Sequence, residues 1–96
     1  MKGKLFAIAT AASFALAMSA AHAQDAAKLA NSAGCTACHD VSSQKVGPSF
    51  KESAKKFSKS GDKVFAAIKA DPNHAEMIKG VSDADLHTLA NWIASL

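Results

Sequence analysis

The sequence predicts an all-α fold, and three observations carry that reading. Apolar residues recur at helical spacing, most clearly Leu86, Leu89, Ile93 and Leu96. Two capping boxes, Ser49-x-x-Glu52 and Ser82-x-x-Asp85, each open such a stripe. No strand-like alternation of polar and apolar residues surrounds the two cysteines, and no repeat, heptad run or second domain is visible.

Residues 1–23 read as a secretory signal peptide. Lys2 and Lys4 make a basic start, Leu5 to Ala17 an apolar run, and Ala21-His22-Ala23 a small-x-small cleavage site, which leaves residues 24–96 as one small domain. An uncleaved membrane anchor is the competing reading, for which the run is short and alanine-rich. Two of the 11 basic residues lie in that segment, so nine lysines face eight carboxylates afterwards. A chain that close to neutrality, with no arginine, lacks the concentrated basic face of a nucleic-acid binder.

In chain order, the alanine-rich stretch from Asp25 to Ala33 forms a short helix stopped by Gly34. Asp40 to Lys45 is polar and serine-rich and reads as a loop, followed by a turn at Val46-Gly47-Pro48. The Ser49 box then starts a helix of about two turns with Phe50, Ala54 and Phe57 on one face and Lys51, Lys55 and Lys56 on the other. Ser60-Gly61 breaks it. Val64, Phe65 and Ile68 mark another helix that must stop before Pro72. Asp71 to Gly80 shows no periodicity and reads as a loop. Val81 and Leu86 staple the last helix, Asp83 to Ser95, with Trp92 on the flank of its stripe as a core anchor.

The chemistry sits in Cys35-Thr36-Ala37-Cys38-His39. This is the Cys-x-x-Cys-His spacing of a c-type haem attachment site, where two thiols bond the porphyrin and the adjacent imidazole binds iron. Two intervening residues make about one helical turn, which brings both sulfurs to one edge of a flat ring. A thiol–disulfide centre would expect a βαβ setting, and half a zinc site would want further cysteines or a close histidine pair, which His74 and His87 are not. A disulfide across two residues would be strained. Against so small a chain, a covalently held haem would form part of the interior.

A second iron ligand has two candidates in the Asp71–Gly80 segment. Met77 is the only methionine after residue 23 and is the expected distal ligand; His74 competes with it, while His87 has a surface or helix-packing place. A thioether would favour ferrous iron and raise the potential, a second imidazole would lower it, and an open position would bind small ligands.

With these residues in view, the whole of residues 24–96 resembles a small bacterial class I monohaem cytochrome c of the c-551/c-552 type. The features in common are a helix leading into Cys35-Thr36-Ala37-Cys38-His39, the Val46-Gly47-Pro48 turn, the Met77 segment, and Val81-Ser82-Asp83 opening a helix that bears Trp92. The resemblance implies the cytochrome c fold, about four short helices around one covalently attached haem. It also implies that the Pro48 carbonyl orients His39 through Nδ1–H, a common support for a metal-bound imidazole, and that the terminal helices cross, using Leu29 and Trp92. Two departures stand out: the Pro48–Met77 segment is short, and Ile78 rather than proline follows Met77. No loop tryptophan or arginine offers itself to the haem propionates.

The function expected on this basis is that of a monomeric, periplasmic one-electron carrier, not an enzyme, with haem c on Cys35, Cys38, His39 and Met77. Redox partners would dock at a haem edge ringed by some of Lys45, Lys51, Lys55, Lys56, Lys59 and Lys79. A ligand-sensing or peroxidase-like haem protein, and a subunit of a larger oxidoreductase, are the alternatives. No stable membrane insertion is expected after signal cleavage.

Overall fold

A computed structural model describes residues 23–96. The signal-peptide reading therefore lies outside the described residues except for Ala23, which already belongs to the first helix. Among the described residues five α-helices follow one another: α1 (23–32), α2 (Phe50–Lys56), α3 (Gly61–Ala70), α4 (Ala75–Ile78) and α5 (Asp83–Ala94). Short 3-10 turns at Cys35–Ala37 and Pro72–His74 complete the regular structure, and there is no strand among the described residues.

Caps set most of these boundaries. The hydroxyls of Ser49 and Ser82 accept the amide protons of Glu52 and Asp85, each at 3.1 Å, as the two capping boxes require. Ser60 does the same for Lys63 at the start of α3, at 3.3 Å. The last helix ends at Ala94, with Ser95 as its cap.

Asp71 to Gly80, read above as a loop, is a pair of helical turns. Asp71 caps the first by accepting the Asn73 amide at 2.9 Å, Pro72 occupies the first turn, and α4 continues from it. Two turns of three and four residues are too short to display periodicity, whereas an acidic cap followed by proline is itself a start signal.

Helix α5 is the spine. Leu86, Leu89, Ala90, Ile93 and Ala94 are all buried on it. One cluster joins Ala90, Ile93 and Ala94 to Phe50 of α2 and Val64 of α3. The other joins Leu86 and Leu89 to Ala30 of α1, with Leu29 and Trp92 packed against it. The terminal helices thus meet, but the fully buried residues of α1 are Ala26 and Ala30 rather than Leu29. Small side chains allow the backbones a close approach at the cost of apolar area. Among the described residues five of the ten buried apolar side chains are alanine, and Leu89 is the only large one exposed by less than 2%. At about 25 cal/mol per Å² such a core is thin against an ordering cost of about 1–2 kcal/mol per residue.

The end of α2 carries local strain. Ser58 and Lys59 both have left-handed backbone, φ 54° and 56°, and this lets the Lys59 amide return to the Ala54 carbonyl at 2.7 Å. Each such non-glycine residue costs about 1–2 kcal/mol, partly offset in a glycine by its greater chain entropy. Ser58→Gly is therefore expected to stabilise the holoprotein by about 0.5–1 kcal/mol, read as a higher denaturation midpoint with unchanged slope.

Candidate haem site

Two residues after the end of α1, Gly34 with its φ of 91° turns the chain so that Cys35–Ala37 forms its own 3-10 turn. The amides of Cys38 and His39 both return to the Cys35 carbonyl, at 3.3 and 3.1 Å. Cys35, Cys38 and His39 all line one cavity of about 660 Å³, and so do Met77 and His74. The two cysteines do not pair as a disulfide. Burial pushes the Cys35 thiol up, with a backbone hydrogen bond opposing it only in part. In the chain before haem attachment this favours the thiol over the more reactive thiolate.

The His39 ring is fixed from three sides. Its Nδ1 lies 2.6 Å from the Pro48 carbonyl oxygen. A carbonyl can only accept, so Nδ1 carries the proton and Nε2 keeps the lone pair. Phe50 stacks on the ring at 5.5 Å between centroids, and Trp92 meets Phe50 edge-on at the same separation. Gly47 closes the third side, where an added Cβ would stand 2.8 Å from Nδ1.

That geometry depends on the loop between motif and α2. The Gly47 amide donates to the Cys38 carbonyl at 2.8 Å, the Phe50 amide to the Asp40 carbonyl at 2.9 Å, and Lys45 Nζ to the Thr36 carbonyl at 2.9 Å. Asp40 also accepts from the amides of Ser42 and Ser43. The polar, serine-rich composition thus pins the loop back on the motif. Gly47 and Phe50 were not legible as site residues: Gly47 lacks a positive φ to mark it, and Phe50 has the spacing of ordinary core.

Met77 is half-buried on α4, its Sδ 3.5 Å from the point where a Gly34 side chain would begin. His74 is also half-buried, with Nδ1 2.9 Å from the Ile68 carbonyl. His87 lies away from the cavity, stacked on Phe65 at 3.8 Å, in the helix-packing place expected of it.

The donor set suits an iron porphyrin. Two cysteine sulfurs at motif spacing and an imidazole with its Nδ1 anchored stand on the wall of a mostly apolar cavity, formed by Phe57, Val64, Ile68, Leu86, Leu89 and Ile93 among others, with Lys56, Asp71 and Asn73 also on its lining.

Comparison with known proteins agrees. The family model described as Cytochrome c matches residues 23–96. Among curated relatives, the chain is similar to cytochrome c-552 of Hydrogenobacter thermophilus, 32% identical over 83 residues, covering 72% of this chain and 79% of that protein. It is 35% identical over 91 residues to cytochrome c-552 of Nitrosomonas europaea, covering 80% and 84%. It is 34% identical over 89 residues to cytochrome c-551 of Pseudomonas aeruginosa, covering 78% and 80%. No solved structure matches significantly.

The crowding at Gly47 generates a test. Gly47→Ala must push the His39 ring or the loop aside, and overpacking of that kind costs about 1–3 kcal/mol. The expected result is a haem-loaded protein less stable by that amount, read as a lower denaturation midpoint with unchanged slope. A variant as stable as the wild type would show that the loop yields freely.

Proposed function

The chain belongs to the cytochrome c family, as a small monohaem class I c-type cytochrome with covalently bound haem c, and from that premise we propose how it carries electrons. In this reading residues 1–23 are removed on export, residues 24–96 form the working domain, and the protein acts in the periplasm as a diffusible, monomeric one-electron carrier. It transfers electrons and turns over no substrate. The observation that carries the reading is the anchored His39 imidazole on the wall of the cavity shared by Cys35, Cys38 and Met77.

Each residue has a separate task. Cys35 and Cys38 form the thioether bonds. His39 is the proximal ligand, and Pro48 holds its ring in one tautomer and one orientation, which keeps the ligand field constant. Met77 supplies the distal thioether, a soft donor that favours the ferrous state and raises the potential. The apolar wall excludes water, so little solvent reorganises around a change of charge. What haem iron supplies when bound is a reversible one-electron change.

Docking is supported at the mouth of the cavity. Val46 is 84% exposed and lines that cavity, making an apolar contact where the site opens. Lys56 lines it as well, and Lys45 reaches over the motif. Lys51, Lys55 and Lys59 instead line a separate shallow depression on α2, while Lys79 pairs with Glu76 at 2.9 Å. Of the lysine ring expected from the sequence, Lys45 and Lys56, beside Val46, are in this reading the docking residues. Such a patch suits redox proteins with an acidic rim around their own electron-exit site.

Ligation is tested by the optical spectrum of the ferric protein. The weak long-wavelength charge-transfer band of iron–thioether ligation is expected in the wild type and lost in Met77→Ala, with a lower midpoint potential. A wild type without the band sinks the His39/Met77 assignment, and ready carbon monoxide binding by the reduced wild type would favour ligand sensing over transfer.

Docking is tested kinetically. Electron transfer to an acidic redox protein should slow as salt rises, and Lys56→Glu or Val46→Asp should slow it about 3- to 10-fold at low salt. Lys59→Glu, on the other depression, should have a clearly smaller effect. Equal effects of the three substitutions would leave only net charge at work.

A further inference from the structure

A second imidazole has been prepared in the same way as the first. His39 and His74 both line the cavity, their ring centres are 6.2 Å apart and their planes tilt by 58°. Each ring presents Nδ1 to a main-chain carbonyl, Pro48 for His39 and Ile68 for His74. Each is therefore held as the tautomer with its proton on Nδ1 and its lone pair on Nε2. Metal-bound histidines have this form, with the distant nitrogen tied to an acceptor and the other free for the ion. The motif accounts for the preparation of His39. Nothing in the motif accounts for that of His74.

The separation also suits a shared ion. A nitrogen at about 2.0–2.1 Å from a metal puts the ring centre about 3 Å away, so two imidazoles on opposite sides of one ion have centres about 6 Å apart.

The backbone around His74 is built rather than incidental. Asp71 caps the turn through the Asn73 amide, Pro72 fixes its first torsion, and the His74 amide returns to the Asp71 carbonyl at 3.0 Å. With φ −91° and ψ −12°, His74 runs directly into α4. His74 and Met77 thereby fall at i and i+3, on one face of a continuous helical stub.

Resting on the reading that haem fills this cavity with His39 as its proximal ligand, we propose that His74 is a second distal ligand, able to take the sixth iron position in place of Met77. The exchange breaks an iron–sulfur bond and forms an iron–nitrogen bond. A neutral thioether leaves and a neutral imidazole enters, so neither proton nor net charge is transferred. The protein would then have two closed states: a higher-potential His39/Met77 form and a lower-potential His39/His74 form. Loss of the thioether would lower the driving force for reduction without opening the iron to small ligands.

The test compares four haem-loaded proteins at neutral pH, each with covalent attachment verified by mass: wild type, Met77→Ala, Met77→Ala/His74→Ala, and Met77→Ala/His87→Ala. The readouts are the ferric spin state by electron paramagnetic resonance and the carbon monoxide adduct of the reduced form. Met77→Ala is expected to lose the thioether band yet remain low-spin, with carbon monoxide binding strongly slowed. Removing His74 as well should give high-spin iron that binds carbon monoxide readily and returns to low spin on addition of free imidazole. The variant lacking His87 should behave as Met77→Ala does. A Met77→Ala protein that is already high-spin and open, or a His74-lacking double variant that remains low-spin without added imidazole, overturns the proposal. Met77 ligation itself is judged from the wild-type band, so failure of the earlier reading and failure of this one are seen in different samples.

Discussion

The hydrogen bond from His39 Nδ1 to the Pro48 carbonyl is the constraint on which the rest of this small structure depends. For the carbonyl to stand there, the chain must leave the motif, loop out and return within nine residues. Backbone bonds from Gly47 to Cys38 and from Phe50 to Asp40 close that return. Pro48 is followed at once by Ser49, the cap of α2, so the same turn that orients the ring also fixes where α2 begins. Phe50, in the first turn of α2, then stacks on the ring it helped to place and passes the contact to Trp92 of α5. Site and scaffold are coupled because one stretch of backbone serves both.

A second constraint is the shortage of apolar mass. The helices approach one another through alanines at positions 26, 30, 54, 90 and 94. That suits close crossings, but it leaves the two clusters small and a large apolar-walled cavity between them and the motif. Residues such as Val64, Leu86, Leu89 and Ile93 belong both to the buried core and to the cavity wall. Covalently bound haem c therefore completes the interior as well as supplying the chemistry, and the low potential of so few residues to fold unaided is the physical reason.

What could be read from the sequence was whatever is encoded over a short range. The two capping boxes, the α5 stripe and the five-residue motif depend on local spacing, and the structure shows each of the corresponding helices and the turn at the motif. Legibility failed where tertiary contacts decide. Ser58 and Lys59 have no preference for left-handed backbone, and nothing at that position foretold it. Gly47 is needed because another ring presses on it, a fact about residue 39 rather than residue 47. The turns at Pro72–His74 and Ala75–Ile78 fell between these cases, since the Asp71–Pro72 cap was present but no periodic face was long enough to support it. Of the candidate residues, Cys35, Cys38, His39, Met77 and His74 do line one cavity; the ordering of His74 by Ile68 could not be inferred from spacing alone.

The pairing of the chain ends explains why a site assembled from local turns can still be rigid. Helix α1 leads through a turn at Gly34 to Cys35, and its buried face meets α5 through Ala30, Leu86 and Leu89. That contact joins residues more than fifty positions apart, and Cys35 packs against both clusters that α5 organises. Long-range contacts of this kind carry a large closure entropy and reward the chain only once both partners are formed. The attachment point is consequently held by long-range packing, while the imidazole four residues later is held first by the Pro48 carbonyl nine positions on and by Phe50. Cys35 is thus tied to the core and His39 to the loop, and the donor set rests on both.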